Sequence, residues 1–140
     1  MDDPAMTIQI RHLTFDCADP RKLGEFWSAV TGWHLFYDED PEVIVARSFP
    51  SKELMFLFVP VPEAKSAKNR VHIDIKPEDT TRDELVERAL SLGATIFGDH
   101  RKEDGTGFVA LRDPEGNEFC IERGEHEMTS SGPMTIGLKI

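Results

Sequence analysis

Positive charge is scarce in this chain: 16 Lys and Arg stand against 26 Asp and Glu, a formal net charge of −10 over 140 residues. Binding to nucleic acid needs clustered Lys and Arg to displace counterions from phosphates, so nucleic acid is not an expected partner. Long apolar runs are missing too. No stretch approaches the roughly 18 residues that read as a membrane span, and the acidic start MDDPAMT has neither the basic nor the apolar region of a secretory signal. No membrane partner is expected, and the cytoplasm is the expected location. Cysteine is limited to Cys17 and Cys120, which fits a reducing compartment. What is present, 39% hydrophobic and 30% charged residues, suffices for one sizeable core. The expectation is a single domain over residues 1–140, made of two halves.

The order of elements follows from punctuation and periodicity. HLTFDC, residues 12–17, alternates like a strand. Asp19 can cap a helix that starts at Pro20, where a missing N–H costs nothing. Leu23, Phe26, Trp27 and Val30 then form one apolar stripe, and Gly32 closes the helix. Three short β-like runs follow near 33–38, 42–49 and 53–59, separated by DEDPE and PSKE, which suit turns. PVPEAKSAKN, residues 60–69, reads as a linker. RVHIDI, residues 70–75, begins a second round. Thr81 and Glu84 make a capping box before a helix carrying Leu85, Val86, Ala89, Leu90 and Leu92, ended by Gly93. ATIFG, GFVALR and EFCIER are three further strands, the last two joined by DPEGN, a type I turn with Pro114 second and Gly116 fourth.

His72 lies 60 positions after His12, and Gly93 lies 61 after Gly32. Strand, helix and three strands thus occur twice at nearly constant spacing. A ferredoxin-like βαββαβ fold also repeats a strand and a helix, but supplies too few strands after each helix. The expected class is α+β: paired βαβββ modules forming a curved mixed sheet around a cavity. Module one spans about 7–59, module two about 70–123, and a tail covers 124–140, where MTIGLKI offers an edge strand or a packing segment for a partner subunit.

Strand alternation assigns faces. Leu13, Phe15 and Cys17, like Val71, Ile73 and Ile75, suit the side covered by a helix. His12, Thr14 and Asp16, like Arg70, His72 and Asp74, fall on the helix-free side. In EFCIE, Phe119 and Ile121 belong under the helix, which sends Glu118, Cys120 and Glu122 to the free side, so Cys17 and Cys120 sit on opposite faces and no disulfide is expected. If the free face meets water, both histidines are ordinary surface residues. ELMFLFV, residues 53–59, argues for enclosure, because it is apolar on both faces. Enclosed histidines need partners, since an unpaired buried polar group costs about 1–3 kcal/mol.

With HLTFDCADPRKLGEFWSAVTGW, NRVHIDI and especially DPEGNEFCI, the chain resembles the vicinal oxygen chelate superfamily, the glyoxalase, bleomycin-resistance and extradiol dioxygenase group, over residues 8–123. The resemblance implies paired βαβββ units around a cup-shaped cavity, commonly in a homodimer. It places His12 and His72 on the two first-strand metal positions. Cys120 stands where a glutamate ligand is usual, and the last strand of module one offers Phe56 or Phe58 instead of a carboxylate. A metal site, if kept, would rest on His12, His72 and Cys120 and hold one divalent ion, zinc, nickel or iron. Otherwise no cofactor is expected, and Cys120 is a small packing residue.

Three functions compete. In the first, a metal-free cup takes up a small organic molecule, with Phe56, Phe58 and Phe108 as apolar walls and His12, His72 and Asp74 as orienting groups. In the second, a metal-dependent lyase or isomerase uses Glu118 or Glu122 to move a proton. The third is a structural dimer module without a ligand.

Overall fold

A computed structural model describes residues 6–37 and 41–128. Most of the DEDPE loop and the MTIGLKI segment lie outside the described residues. The chain folds as two compact units, Met1–Ala64 and Lys65–Ile140. The order of elements is β1 (His12–Cys17), α1 (Pro20–Thr31), β2 (His34–Tyr37), β3 (Val43–Ala46) and β4 (Met55–Pro60), then β5 (Ile73–Ile75), α2 (Arg82–Ser91), β6 (Thr95–Asp99), β7 (Val109–Arg112) and β8 (Glu118–Ile121). Each unit is a βαβββ module with the same strand order, β1-β4-β3-β2 in one and β5-β8-β7-β6 in the other. The first and last strand of each module pair in parallel, as a crossover connection through a helix requires. No helix among the described residues is long and apolar enough to cross a membrane.

In the first unit, Asp19 accepts a hydrogen bond from the Lys22 N–H at 3.1 Å, and Gly32 takes the left-handed conformation, φ 75°, that stops α1. The stripe Leu23, Phe26, Trp27 and Val30 is buried. It lies on β3 and β4, approached so closely that a Cβ on Gly24 would stand 2.8 Å from Val43 Cγ1. The strands are shorter than their apolar runs suggested, because pairing stops at His34 and Ala46 in the β2–β3 ladder and at Met55 in the β1–β4 ladder.

In the second unit, the Thr81 side chain accepts from the Glu84 N–H at 3.1 Å, and Leu85, Val86 and Ala89 are buried. The helix ends at Ser91, with Leu92 as its cap. Leu92 therefore turns outward rather than joining the apolar stripe, and left-handed Gly93, φ 116°, follows. The DPEGN turn closes through the Gly116 N–H to the Asp113 carbonyl at 2.9 Å, while Asp113 Oδ1 accepts from the N–H groups of Glu115 and Asn117. β5 begins three residues later than the alternation of RVHIDI implies, and Val71 is 73% exposed instead of covered by the helix. The reason is local: Asn69 donates its backbone N–H to Glu118 Oε1 at 2.8 Å, so a side chain replaces the ladder there. The second half of the expected linker is tied the same way, by Lys65 to Glu118 at 3.2 Å, and the two units meet inside that segment, between Ala64 and Lys65.

The β6–β7 connection is fastened by arginines. Asp99 accepts two bonds from the Arg101 guanidinium, at 2.9 and 2.6 Å, and Asp83 accepts from both Arg101 and Arg82. These bonds to Arg101 hold the Asp99 carboxyl down at about 2. A carboxyl lowered by folding adds stability above its unfolded value of about 4 and loses it as pH falls toward 2. Because the Asp99 side chain is 42% exposed, solvent limits the gain to about 0.2–1 kcal/mol. Denaturant midpoints measured between pH 5 and pH 2 are expected to fall less steeply in Arg101→Gln than in the parent.

Candidate functional site

The helix-free face of the second module is assembled by register. Asp74 on β5 stands beside Cys120 on β8, and Cys120 beside Ala110 on β7. Their neighbours Ile73, Phe119 and Leu111 point the other way, under α2, because side chains alternate along each strand. Phe108, Ala110 and Cys120 form a buried apolar patch, and the His100 ring stacks on Phe108 with centroids 4.7 Å apart. Periodicity gave no reason to select His100; it reaches Phe108 because its own N–H bonds the Phe108 carbonyl at 2.9 Å across the hairpin.

His72 and Asp74 stand on this floor, half-exposed. Their side chains are 26% and 42% accessible, with Nε2 and Oδ1 3.3 Å apart. The Cys120 thiol is fully buried, and its pKa is pushed up to about 12, first by burial and then by the charge of Asp74 and a hydrogen bond to it. At neutral pH it is a protonated donor rather than a nucleophile. One potential ligand atom from each of His72, Asp74 and Cys120 lies within 4.8 Å of the others. Of the three residues expected to ligate a metal, the second unit thus joins His72 and Cys120 and adds Asp74. His12 belongs to the first unit, where it opens β1 opposite Met55.

Three sequence expectations need correction. Phe56 and Phe58 are not walls of the helix-free face. They pair with Leu13 and Phe15, Phe58 stacks on Phe15 at 4.8 Å, and Phe56 meets Trp27 edge-on at 5.7 Å, so both belong to the core under α1. The residues that share the His12 face are Met55, Leu57 and Val59. The missing carboxylate of this strand is therefore replaced by an aliphatic side chain, not by phenylalanine. Third, Glu118 is not a free proton carrier. It is 3% accessible, and one oxygen accepts from Asn69 while the other faces Lys65, with Arg112 3.8 Å away. Burial pushes its pKa up, but the Asn69 and Lys65 hydrogen bonds outweigh that and hold it below the ordinary range. It anchors the linker. Glu122, which follows β8, is half-buried, and its carboxyl is pushed up by burial and by the negative charge of Asp74.

A repeated βαβββ module with parallel first and last strands, and histidine at or just before the first strand of each, defines a protein of the vicinal oxygen chelate superfamily. Within it the chain belongs to the glyoxalase-like domain family, whose model matches residues 12–122. Solved structures share the fold. The fosfomycin resistance protein FosX from Mesorhizobium loti is 18% identical, with 85% of this chain and 94% of that one covered at a TM-score of 0.66. A glyoxalase/bleomycin resistance protein/dioxygenase family enzyme from Burkholderia phytofirmans is 17% identical, with 81% and 97% covered at 0.61. A possible glyoxalase from Bacillus cereus is 16% identical, with 83% and 99% covered at 0.58. No curated protein matches the sequence.

The donor set can be tested against the divalent metal common in this superfamily. An imidazole, a carboxylate and a thiol within 4.8 Å of one another suit an ion that accepts nitrogen, oxygen and sulfur together, and zinc does so with bonds of about 2.0–2.3 Å. The residues fit.

Proposed function

We propose that this protein takes up a small organic molecule on the helix-free face of its second module. The observation that supports this reading is the half-exposed His72–Asp74 pair above the buried floor of Phe108, Ala110 and Cys120. Binding sites combine an apolar surface with a few convergent polar groups in this way, the first supplying affinity and the second orientation. His72 and Asp74 orient the ligand through hydrogen bonds, and the exposed His100 ring, stacked on buried Phe108, provides the aromatic surface. The homodimer implied by the family is part of the same proposal.

A second reading, a divalent-metal-dependent lyase or isomerase, is favoured by the closeness of His72, Asp74 and Cys120. Those three residues would hold the ion, which when bound would polarise a substrate oxygen. Glu122, half-buried immediately beyond β8, would take and return the proton. Glu118 has no part in this reading, because both of its oxygens are engaged.

Amide-resolved NMR with a library of small aromatic and hydroxylated compounds tests the first reading. Hits are expected to shift the amides of residues 72–74, 108 and 120, and to bind at least tenfold more weakly to His72→Ala, a loss of about 1.4 kcal/mol. Hits that map elsewhere, or that bind His72→Ala as well as the parent, would refute it.

A further inference from the structure

We propose that residues 134–140, MTIGLKI, dock on β6 of the second module as a fifth strand, antiparallel to it. This goes beyond ligand uptake and does not rest on it.

The edge comes first. In the order β5-β8-β7-β6, β6 has a neighbour on one side only among the described residues, so backbone N–H and C=O groups face outward along it and can template a further strand. Its side chains are apolar where an edge is usually charged: Ile96 is 44% and Phe97 36% exposed. The Arg112 guanidinium lies 4.2 Å from the Phe97 ring and shields it. Ile96 pairs with Leu111 and so belongs to the side covered by α2, where Leu92, the cap of that helix, is exposed as well. The open place at this edge is therefore apolar and lies on the α2 side.

Sequence and reach identify the occupant. In MTIGLKI, Met134, Ile136, Leu138 and Ile140 alternate with Thr135, Gly137 and Lys139, the pattern of a strand with one apolar face. Four large apolar residues in seven are the opposite of the composition that keeps a tail in water. The point from which the segment is tethered is fixed. Glu127 accepts from the Arg82 N–H at 2.8 Å, and Arg82 holds the Gly105, Thr106 and Gly107 carbonyls of the β6–β7 hairpin. Arg123 Nη1 donates to the Glu127 carbonyl at 3.5 Å and lies against Gly105, where a Cβ would stand 3.8 Å from it. The chain thus passes Met128 beside the turn of the hairpin. That ladder runs back from Lys102, bonded to Thr106, to His100, bonded to Phe108, so the Asp99 end of β6 is about 10 Å from the turn. Residues 129–133 reach about 17 Å, which suffices. Entering at the Asp99 end, the segment must run opposite to β6, and its seven residues, at about 3.4 Å each, are long enough for the whole strand.

A tether this short gives an effective concentration on the order of millimolar, which favours the chain's own segment over a second copy. Docked with its apolar set toward α2, the segment covers Ile96 and Leu92 and leaves Thr135 and Lys139 to water. Main-chain bonds supply the attachment, and the apolar set fixes the register.

The test places a nitroxide on Lys139→Cys in the full chain, Cys17 and Cys120 being buried, and reads the broadening of amide signals. We expect residues 95–97 to broaden more than residues 102–105, as the antiparallel direction requires. In a second measurement, amides of residues 95–99 should exchange at least tenfold faster in the double variant Ile136→Asp, Leu138→Asp than in the parent, with β8 unchanged. Three results would overturn the inference: exchange at 95–99 within twofold of the parent, broadening strongest at 102–105, or broadening of β6 in isotope-labelled chains only when nitroxide-bearing chains are mixed with them, which would put a second copy's segment on this edge.

Discussion

Arg82→Met is expected to lower stability by about 3 kcal/mol and to loosen the hairpin that carries Phe108. Arg82 is the first residue of α2, and its side chain is 7% accessible. One guanidinium nitrogen donates to three successive carbonyls, Gly105 at 3.1 Å, Thr106 at 3.2 Å and Gly107 at 3.0 Å, while Nε donates to Asp83. Methionine fills a similar space and donates nothing. The Thr106 carbonyl keeps the Lys102 N–H at 3.0 Å, so the loss falls on the half-buried Gly105 and Gly107 carbonyls, at up to about 1–3 kcal/mol each. The turn cannot easily re-form elsewhere: Gly107 has φ 95°, and a Cβ there would stand 2.0 Å from the His100 carbonyl oxygen. Lysine should recover only part of the loss, because its single ammonium can approach the carbonyls but cannot at the same time make the Asp83 bond that Nε supplies. Chemical denaturation gives the stability, and hydrogen exchange at residues 100–108 gives the local loosening. Unchanged protection there in Arg82→Met would contradict this account of the staple. Any ligand that leans on the Phe108–His100 stack should bind that variant more weakly as well.

In the first unit the largest effect is expected for Trp27→Ala, a loss of about 3–5 kcal/mol, against a usual total of about 5–15 kcal/mol for a domain. Trp27 is fully buried, with the Phe15, Phe26 and Phe56 rings centred 5.5, 5.3 and 5.7 Å away. It joins α1 to β1 and β4 at once, so truncation opens a cavity walled by rings that α1, held by its caps, cannot collapse to fill. Trp27→Phe keeps most of the contact area and should cost markedly less. Denaturant midpoints can be followed by circular dichroism, with Trp33 left as a fluorescent reporter. A midpoint for Trp27→Ala within 0.5 kcal/mol of the parent would show that the aromatic cluster is not the core of this unit.

Both predictions rest on side chains that the sequence presents unequally. Trp27 was legible, because a stripe at helical spacing between Asp19 and Gly32 leaves no other place for it. Arg82 was not. An arginine in the first turn of a helix reads as solvated, and nothing in its neighbours announces that three carbonyls more than twenty positions away will meet it. The candidate site divides in the same manner. Alternation in RVHIDI put His72 and Asp74 on one face, and the DPEGN turn followed by alternation put Cys120 on that face too. Glu118 shared the pattern, yet the linker residues Lys65 and Asn69 occupy both of its oxygens.

The error over Phe56 and Phe58 is the most instructive. ELMFLFV is apolar on both faces, so alternation divides it into two sets without saying which set lies beneath the helix. Only the parallel pairing of Phe56 with Leu13 and Phe58 with Phe15 makes that choice. The sequence by itself determined the two βαβββ modules, the helix caps and turns, and the polar face of each first strand, because these follow from interactions between residues close in the chain. Tertiary structure alone decided strand register, the covered face of β4, the engagement of Glu118 and the placing of Asp74 beside Cys120. Those depend on pairings between distant segments, and a shift of one residue in such a pairing exchanges the faces of a strand without altering any local pattern.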